Sequence, residues 1–463
     1  MRARHLALDL TPLRTSRDFR LVFSGSGVSA LGSFITYITI PFQVAEMTRS
    51  PLLVGLLGLC ELVPLLFMAF VGGALADYLD RRRLIIYGEV AFTLLTGVLL
   101  INALLDKPQL WVLFVVAALT TAVDGIQRPA MESLIPRLVE PQQLPATSVL
   151  NSLRMNIASL AGPALAGVLL ATVGSTWVYA IDLATFAASL ACLAFVRTVP
   201  PPPAAERPSL RSAVAGLRYA RSRPELLGTY LVDINATFFG MPQALYPFVA
   251  MKLGGPAVLG LLYAAPSAGA LLATLTSGWT GRVHRHGLMV VLAAGAWGVA
   301  IAGFGVAAFG PSALTLGLTG GGDDHTGILW LALLLLMIAG GADMISGVFR
   351  SVIWNQTIPD RLRGRLAGVE MLSYSIGPTL GNVESGIAAR FVGTGGSIFL
   401  GGVLCVVGTG ALAAALPQFL RYDGRAGLAR KIAEDEAWAA RAAGNALPEL
   451  PPEHPAPTAA SAT

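Results

Sequence analysis

Apolar residues in this chain come in long blocks, each interrupted by only a few polar, glycine or proline positions. Twelve such blocks can be drawn, at 20–46, 52–76, 84–105, 110–130, 146–170, 176–197, 225–250, 257–281, 288–309, 328–350, 366–390 and 397–417. Each has the roughly 20 residues that a helix needs to cross about 30 Å of hydrocarbon. The pattern predicts an all-α, polytopic membrane protein with about twelve transmembrane helices.

Composition agrees, and charge adds an orientation. The 463 residues are 54% hydrophobic and 13% charged, with a mean hydropathy of +0.66. So few charges cannot cover a water-facing surface of that size, whereas lipid requires none. Of the 32 Lys and Arg, only Arg49, Lys107, Lys252 and Arg390 fall near the outward loops, and Arg154 sits within a span. The rest lie on the other set of loops and on the two ends, which places both termini in the cytoplasm. The pI near 9.3 is therefore topological and calls for no nucleic acid, although it also favours anionic lipid headgroups. The first 18 or so residues are polar and basic, and the apolar block after them is too long for a signal peptide. Cys60, Cys192 and Cys405 all fall within spans and read as packing residues, with no metal site implied.

The blocks divide into two groups of six. Residues 1–18 form a cytoplasmic N-terminus, 19–197 the first six-helix half, 198–224 a linker, 225–417 the second half and 418–463 a tail. Proline-rich Val199–Pro208 (VPPPPAAERP) cannot continue a helix, and basic Leu210–Arg223 has the spacing of a helix lying on the inner membrane face. A weak repeat supports the division. Arg128, Ile135-Pro136-Arg137-Leu138 and Gly162-Pro163 recur in order as Arg350, Ile358-Pro359-Asp360-Arg361-Leu362 and Gly377-Pro378. Duplicated halves with a site between them are a common transporter plan. In the tail, 425–443 reads as a short charged helix, and the Pro/Ala-rich residues from about 447 read as disordered.

The run Gly72–Arg83, GGALADYLDRRR, sits between the second and third blocks and resembles the signature loop of the major facilitator superfamily. GLLYAAPSAGALLATLTSG (Gly260–Gly278), NSLRMNIASLAGPALAGVLLA (Asn151–Ala171) and the proline linker resemble one branch, the bacterial enterobactin exporters and related drug-efflux permeases. The resemblance runs from about Phe19 to Phe419. It implies the major facilitator fold, a working monomer in the bacterial inner membrane, alternating access, a small amphiphilic substrate (siderophore or drug) and protons as the coupling ion. It also implies a gating loop at Gly73, Asp77, Arg81 and Arg82, in which Asp77 and Arg81 hold the halves together. Tyr78 and Asp80 depart from the family pattern, which has a basic residue and a glycine there. The matching loop of the second half, Gly278–His286, carries Arg282 in place of the aspartate. Gly162, Pro163 and Gly167 resemble the glycine-proline element of antiporters, with Ala158 and Ala166 replacing glycines. Close helix packing alone would use the same small residues.

Ionisable residues within the spans are the strongest pointers to chemistry, because a charge in hydrocarbon is costly unless paired or wetted. Asp124, Arg128 and Glu132 recur every four residues and share one face of the fourth span. Asp343 and Arg350 lie two turns apart in the tenth, Arg154 near Asn151 in the fifth, Glu61 in the second, Asp233 in the seventh and Asp182 towards the outer end of the sixth. A proton-coupled carrier needs a carboxylate whose proton affinity changes between the two faces of the membrane. Glu61, Asp124, Arg128, Glu132, Arg154, Asp233 and Asp343 are the candidates, and staples between helices are the competing role for each. Phe34 and Tyr37 in the first span, with Phe238, Phe239 and Gln243 in the seventh, offer aromatic faces beside polar groups for an amphiphilic substrate.

No Walker loop and no nucleophile–base arrangement is present, so the sequence predicts no enzyme, no cofactor and no metal. The glycine-rich run Gly317–Asp324 follows no strand and reads as loop. An exporter is the leading expectation. An importer of the same fold, a lipid flippase, and a membrane sensor or scaffold that transports nothing are the alternatives.

Overall fold

A computed structural model describes residues 9–78, 80–197, 218–309, 325–359 and 362–442, apart from some side chains within helices. Gly73 and the Asp77 side chain of the expected gating loop, most of the linker, the loop at 317–324 and the tail from 443 lie outside the described residues. Among those described, ten helices are long and apolar enough to cross a membrane. The first six are Arg17–Thr48, Pro51–Tyr78, Arg81–Leu104, Leu110–Leu134, Leu144–Thr172 and Gly174–Ala194. The later spans include Pro256–Leu275, His286–Phe309 and His325–Thr357.

Two departures from simple spans bring the total to about twelve. Arg363–Ala415 is continuous by hydrogen bonding over 53 residues, which at 1.5 Å per residue would reach roughly 80 Å if straight. It turns at Gly393 (φ 76°, ψ 165°), a backbone region that glycine alone occupies readily, and so forms the eleventh and twelfth spans. The seventh span, expected to be continuous over 225–250, is broken. Pro224–Gly240 ends before Met241–Pro242, a 3-10 turn covers Gln243–Leu245, and Tyr246–Leu253 completes the crossing. The break leaves backbone groups that hydrocarbon cannot satisfy. Trp297 Nε1 donates to the Gly240 carbonyl at 2.9 Å, and the Ala244 N–H donates to Asn382 Oδ1 at 3.0 Å.

Local chemistry sets the helix ends. Ser16 caps the first span by accepting from the Phe19 N–H at 3.1 Å, and Arg49 ends it in the left-handed conformation. Asp80, where the family pattern has glycine, accepts from the Arg82 N–H at 2.9 Å and caps the third span. Its carboxylate thus sits at the positive end of that helix.

Packing among the first six spans recurs among the last six. The first packs on the fifth and sixth, the third on the fourth and sixth, and the second on the fourth. In the later set the seventh packs on the eleventh–twelfth helix, the ninth on the tenth and on that same helix, and the eighth on the tenth. The two sets meet mainly where the fifth touches the eighth and the second touches the eleventh.

The tail docks at the end of the molecule where the chain begins. Phe419 is fully buried against Gly228 and Gly287, where any β-carbon would collide with it. The helix Gly424–Ala442 follows, with Glu434 ion-paired to Arg223 just ahead of the seventh span. Tyr219 donates to Glu434 at 3.3 Å, and the Tyr422 hydroxyl pairs with Thr357 at 3.2 Å. Burial pushes both phenols up to about 12, so they remain protonated near neutrality. On the other set of spans, Arg197 pairs with Asp18 at 3.0 Å.

No neighbouring atom would obstruct a β-carbon at Gly393. Gly393→Ala is therefore expected to cost about 1–3 kcal/mol through the backbone alone, read as a lower melting temperature of the detergent-solubilised protein.

Candidate transport cavity

At the far end, around the turns at Arg49, Gly254 and Gly393, the two sets of spans are pressed together. Gly55 of the second span lies against Asn382 and Gly386 of the eleventh, with Gly58 beside Thr379. Gly167 of the fifth faces Gly260 of the eighth so closely that a β-carbon on either would strike the other's backbone. The apolar core at this end crosses between the sets, since Ala244 of the seventh span packs with Ile40, Val44 and Leu57. At the near end Phe19, Val22, Ile85, Leu134, Leu150 and Leu193 form a separate core of the first set alone. The geometry is that of two bundles joined at one end.

Aromatic and polar groups line the inside of the junction. Tyr37 donates to Gln243 Oε1 at 3.2 Å, and Tyr263 donates to the Gln243 carbonyl at 3.2 Å. Glu61 lies near both phenols. The rings of Tyr37 and Tyr263 meet edge-on at 6.3 Å, and Tyr246 stacks edge-on against Tyr263 at 5.0 Å. Gln243 reaches this position because the seventh span is broken just before it. Phe34 lies against Gly162, within the first set, and Phe238 packs edge-on against Phe239 at 4.8 Å.

Towards the near end the charged residues divide by set. On the fourth span Arg128 pairs with Glu132 at 3.4 Å, both side chains at least half exposed, and Asp124 lies within electrostatic reach. Arg128 also feels the Tyr374 phenol of the eleventh span, which places this ladder on the space between the sets. Arg154 donates to the Ser26 carbonyl at 2.9 Å and to Asn151 Oδ1 at 2.7 Å, joining the fifth span to the first. In the second set Arg350 is ion-paired to buried Asp233 and lies 3.7 Å from Asp343. Ser373 donates to Asp233 at 2.8 Å. A cavity of about 120 Å³ opens here, walled by Tyr230, Arg350, Trp354, Glu370 and Tyr374 among others.

Sequence reasoning named Asp233 and Asp343 separately, and the fold gives them one shared arginine. Glu370, which interacts electrostatically with Arg350 and Asp233, was missed. So was Glu89 of the third span, 3% exposed, bonded to Ser29 and Gln127. A lone acid in an otherwise apolar block was the available signal. Of the expected gating residues, Arg81 donates to the Ser133 carbonyl at 3.2 Å, and Arg82 donates to the carbonyls of Leu193 and Ala194. The glycine-proline element splits between two surfaces. Gly162 packs on the first span, whereas Pro163 and Gly167 meet the eighth.

Two helical bundles around a polar, half-open space are the form of a membrane carrier, and comparison with known proteins agrees. The sequence profile of the family described as transmembrane secretion effector matches residues 7–419. The chain belongs to that family. Enterobactin exporters EntS are similar to it: that of Citrobacter koseri is 27% identical over 376 residues, covering 81% of this chain and 86% of the relative. The Escherichia coli O81 protein is 26% identical over the same shares. Among solved structures, the nucleoside transporter NupG superposes with a TM-score of 0.67 at 12% identity, over 86% of this chain and 99% of that one. A POT family transporter in complex with 5-aminolevulinic acid gives 0.65 at 12% identity, over 87% and 97%. The fold is that of a major facilitator transporter, and the protein is a multi-pass membrane transporter rather than an enzyme.

The shared arginine sets an expectation for stability. Asp233→Asn leaves Arg350 buried without its nearest counter-charge and should cost about 3 kcal/mol, whereas the double variant Asp233→Asn, Arg350→Met should recover most of it. Thermal melts of the four proteins in the mutant cycle provide the check.

Proposed function

We propose that the chain exports a small amphiphilic molecule, a siderophore or a drug, by alternating access driven by inward proton flow. It works as a monomer in the bacterial inner membrane with both termini cytoplasmic. One observation carries this reading: the bundles are closed at the far end, while carboxylates and arginines of both face the space between them at the near end. A bundle with only a structural role has no need to turn charges toward such a space within the membrane. The enterobactin exporters among its relatives favour the export direction and the siderophore class.

The parts have complementary roles. Aromatic faces at Phe34, Tyr37, Phe238 and Tyr263, with Gln243 between them, suit a flat amphiphile that hydrogen-bonds at one edge. Glu61 lies within reach of the same phenols, so substrate and proton compete in one region. Binding of either alters the Tyr37–Gln243 contact, which joins the sets. Asp77 and Arg81 act as the lock at the opposite end, formed when the near end closes.

Liposomes holding a pH-sensitive dye under an imposed proton gradient test the reading. Enterobactin and lipophilic drugs are added one at a time. Substrate-dependent proton movement is expected in the wild type and is lost in Glu61→Gln and Asp124→Asn. Substrate transport that moves no protons would overturn the coupling, and absence of transport for every compound would overturn the exporter.

A further inference from the structure

Two carboxylates lie inside the first six spans, away from the space between the bundles. Asp182 of the sixth span is fully buried and Glu89 of the third is 3% exposed. Neither has a cation within ion-pair distance among the described residues. Their partners are neutral donors. Thr36, Thr96 and Thr185 donate to Asp182 at 2.5, 3.4 and 3.2 Å, while Ser29 and Gln127 donate to Glu89 at 3.3 Å. The rings of Phe92 and Phe186, on the two helices that carry the acids, stack at 5.5 Å. The file continues outward to Tyr179, which donates to Gln43 at 2.8 Å.

Three features point to a bound proton. First, five donors from four different spans converge on two acids with no counter-ion, and amides in place of the acids would satisfy the same packing without the cost of a buried charge. Second, the Ser189 hydroxyl beside Glu89 is 1% exposed, so a further neutral group closes the acid off from solvent. Third, Gly32 leaves no room for a β-carbon against Asp182 and Thr185, so the first span is seated directly on the acid.

We infer that Glu89 and Asp182 form a proton-binding file within the first bundle, distinct from the transport cavity, that sets how the first span packs. Each acid takes up one proton from hydronium, whose O–H bond breaks as the carboxyl O–H forms, and returns it to a water molecule when it ionises. Thr36 and Tyr37 are adjacent, so a change at Asp182 is felt directly at the Tyr37–Gln243 contact. The groups facing the file from its neighbours are Tyr179 and Cys192 of the sixth span, and Arg154, which reaches the first span at Ser26. Arg82 stands at its near end, and Asp124 and Arg128 flank Gln127 on the fourth span.

The inference rests on the proton-driven reading above, and infrared spectroscopy tests it without a substrate. Wild-type protein in liposomes is titrated while the carboxyl C=O stretching band is followed. The band is expected to lose one component in Glu89→Gln and another in Asp182→Asn, and Ser189→Ala should displace the Glu89 component. Should either acid variant fail to fold, Thr36→Val keeps both acids and is expected to displace the Asp182 component. A band unchanged by all of these substitutions overturns the file. The dye assay separates the two ideas. Enterobactin-dependent proton movement intact in both acid variants sinks the file and spares the exporter. Titrating carboxyls in a protein that moves no protons spares the file as a proton-binding site and sinks the coupling.

Discussion

A carboxylate held away from water needs a cation, a set of hydrogen-bond donors or a proton, and the acids of this chain differ in which of these they have. Asp233 has a cation, Arg350, which it shares with Asp343. Among the described residues, Asp182 and Glu89 have only neutral donors. Asp124 and Glu132 are exposed to the space between the bundles and retain access to water. Ion-paired acids fix geometry, since neither partner can leave without stranding the other. Donor-held acids can change charge with little rearrangement. Water-facing acids can meet substrate. Each requirement constrains where a helix may sit, and the packing of the spans follows from meeting all of them together.

The two bundles repeat their contacts but not their chemistry. Arg128 and Arg350 occupy matching places in the fourth and tenth spans, yet one pairs with an exposed neighbour on its own helix and the other with a buried acid from the seventh. The second bundle is thereby tied internally by charge. The first, beyond the Arg197–Asp18 pair at its near end, is tied largely by hydroxyls and amides around acids that have no cation among the described residues. Such a division suits a carrier in which one bundle is the stiff reference and the other responds to occupancy.

Much of the fold was legible because a bilayer demands long apolar blocks, and those blocks are plain at any reasonable window. The breaks were less so. Pro242 marked the interruption of the seventh span, but proline is tolerated within the second, fourth, fifth and eighth spans at Pro64, Pro129, Pro163 and Pro266, so its presence alone does not predict a break. The difference is tertiary, because Trp297 and Asn382 satisfy the freed backbone groups at Gly240 and Ala244. For the charged residues, periodicity gave faces but not partners. It placed Asp124, Arg128 and Glu132 on one side of a helix, and it could not show that Asp233, over a hundred residues from Arg350, would be its counter-ion. Glu89 escaped because its donors, Ser29 and Gln127, lie on two other spans.

The anchors at the near end bear on how motion passes between the bundles. Asp18 holds Arg197 at the exit from the sixth span, and Glu434 holds Arg223 at the entry to the seventh. Each end of the connecting segment is moored to the bundle it touches, so a pull along that segment is resisted by an ion pair before it reaches a transmembrane helix. Mechanical load between the bundles is then borne by the glycine contacts of the fifth with the eighth span and the second with the eleventh. Those seams act as the hinge pins of the molecule.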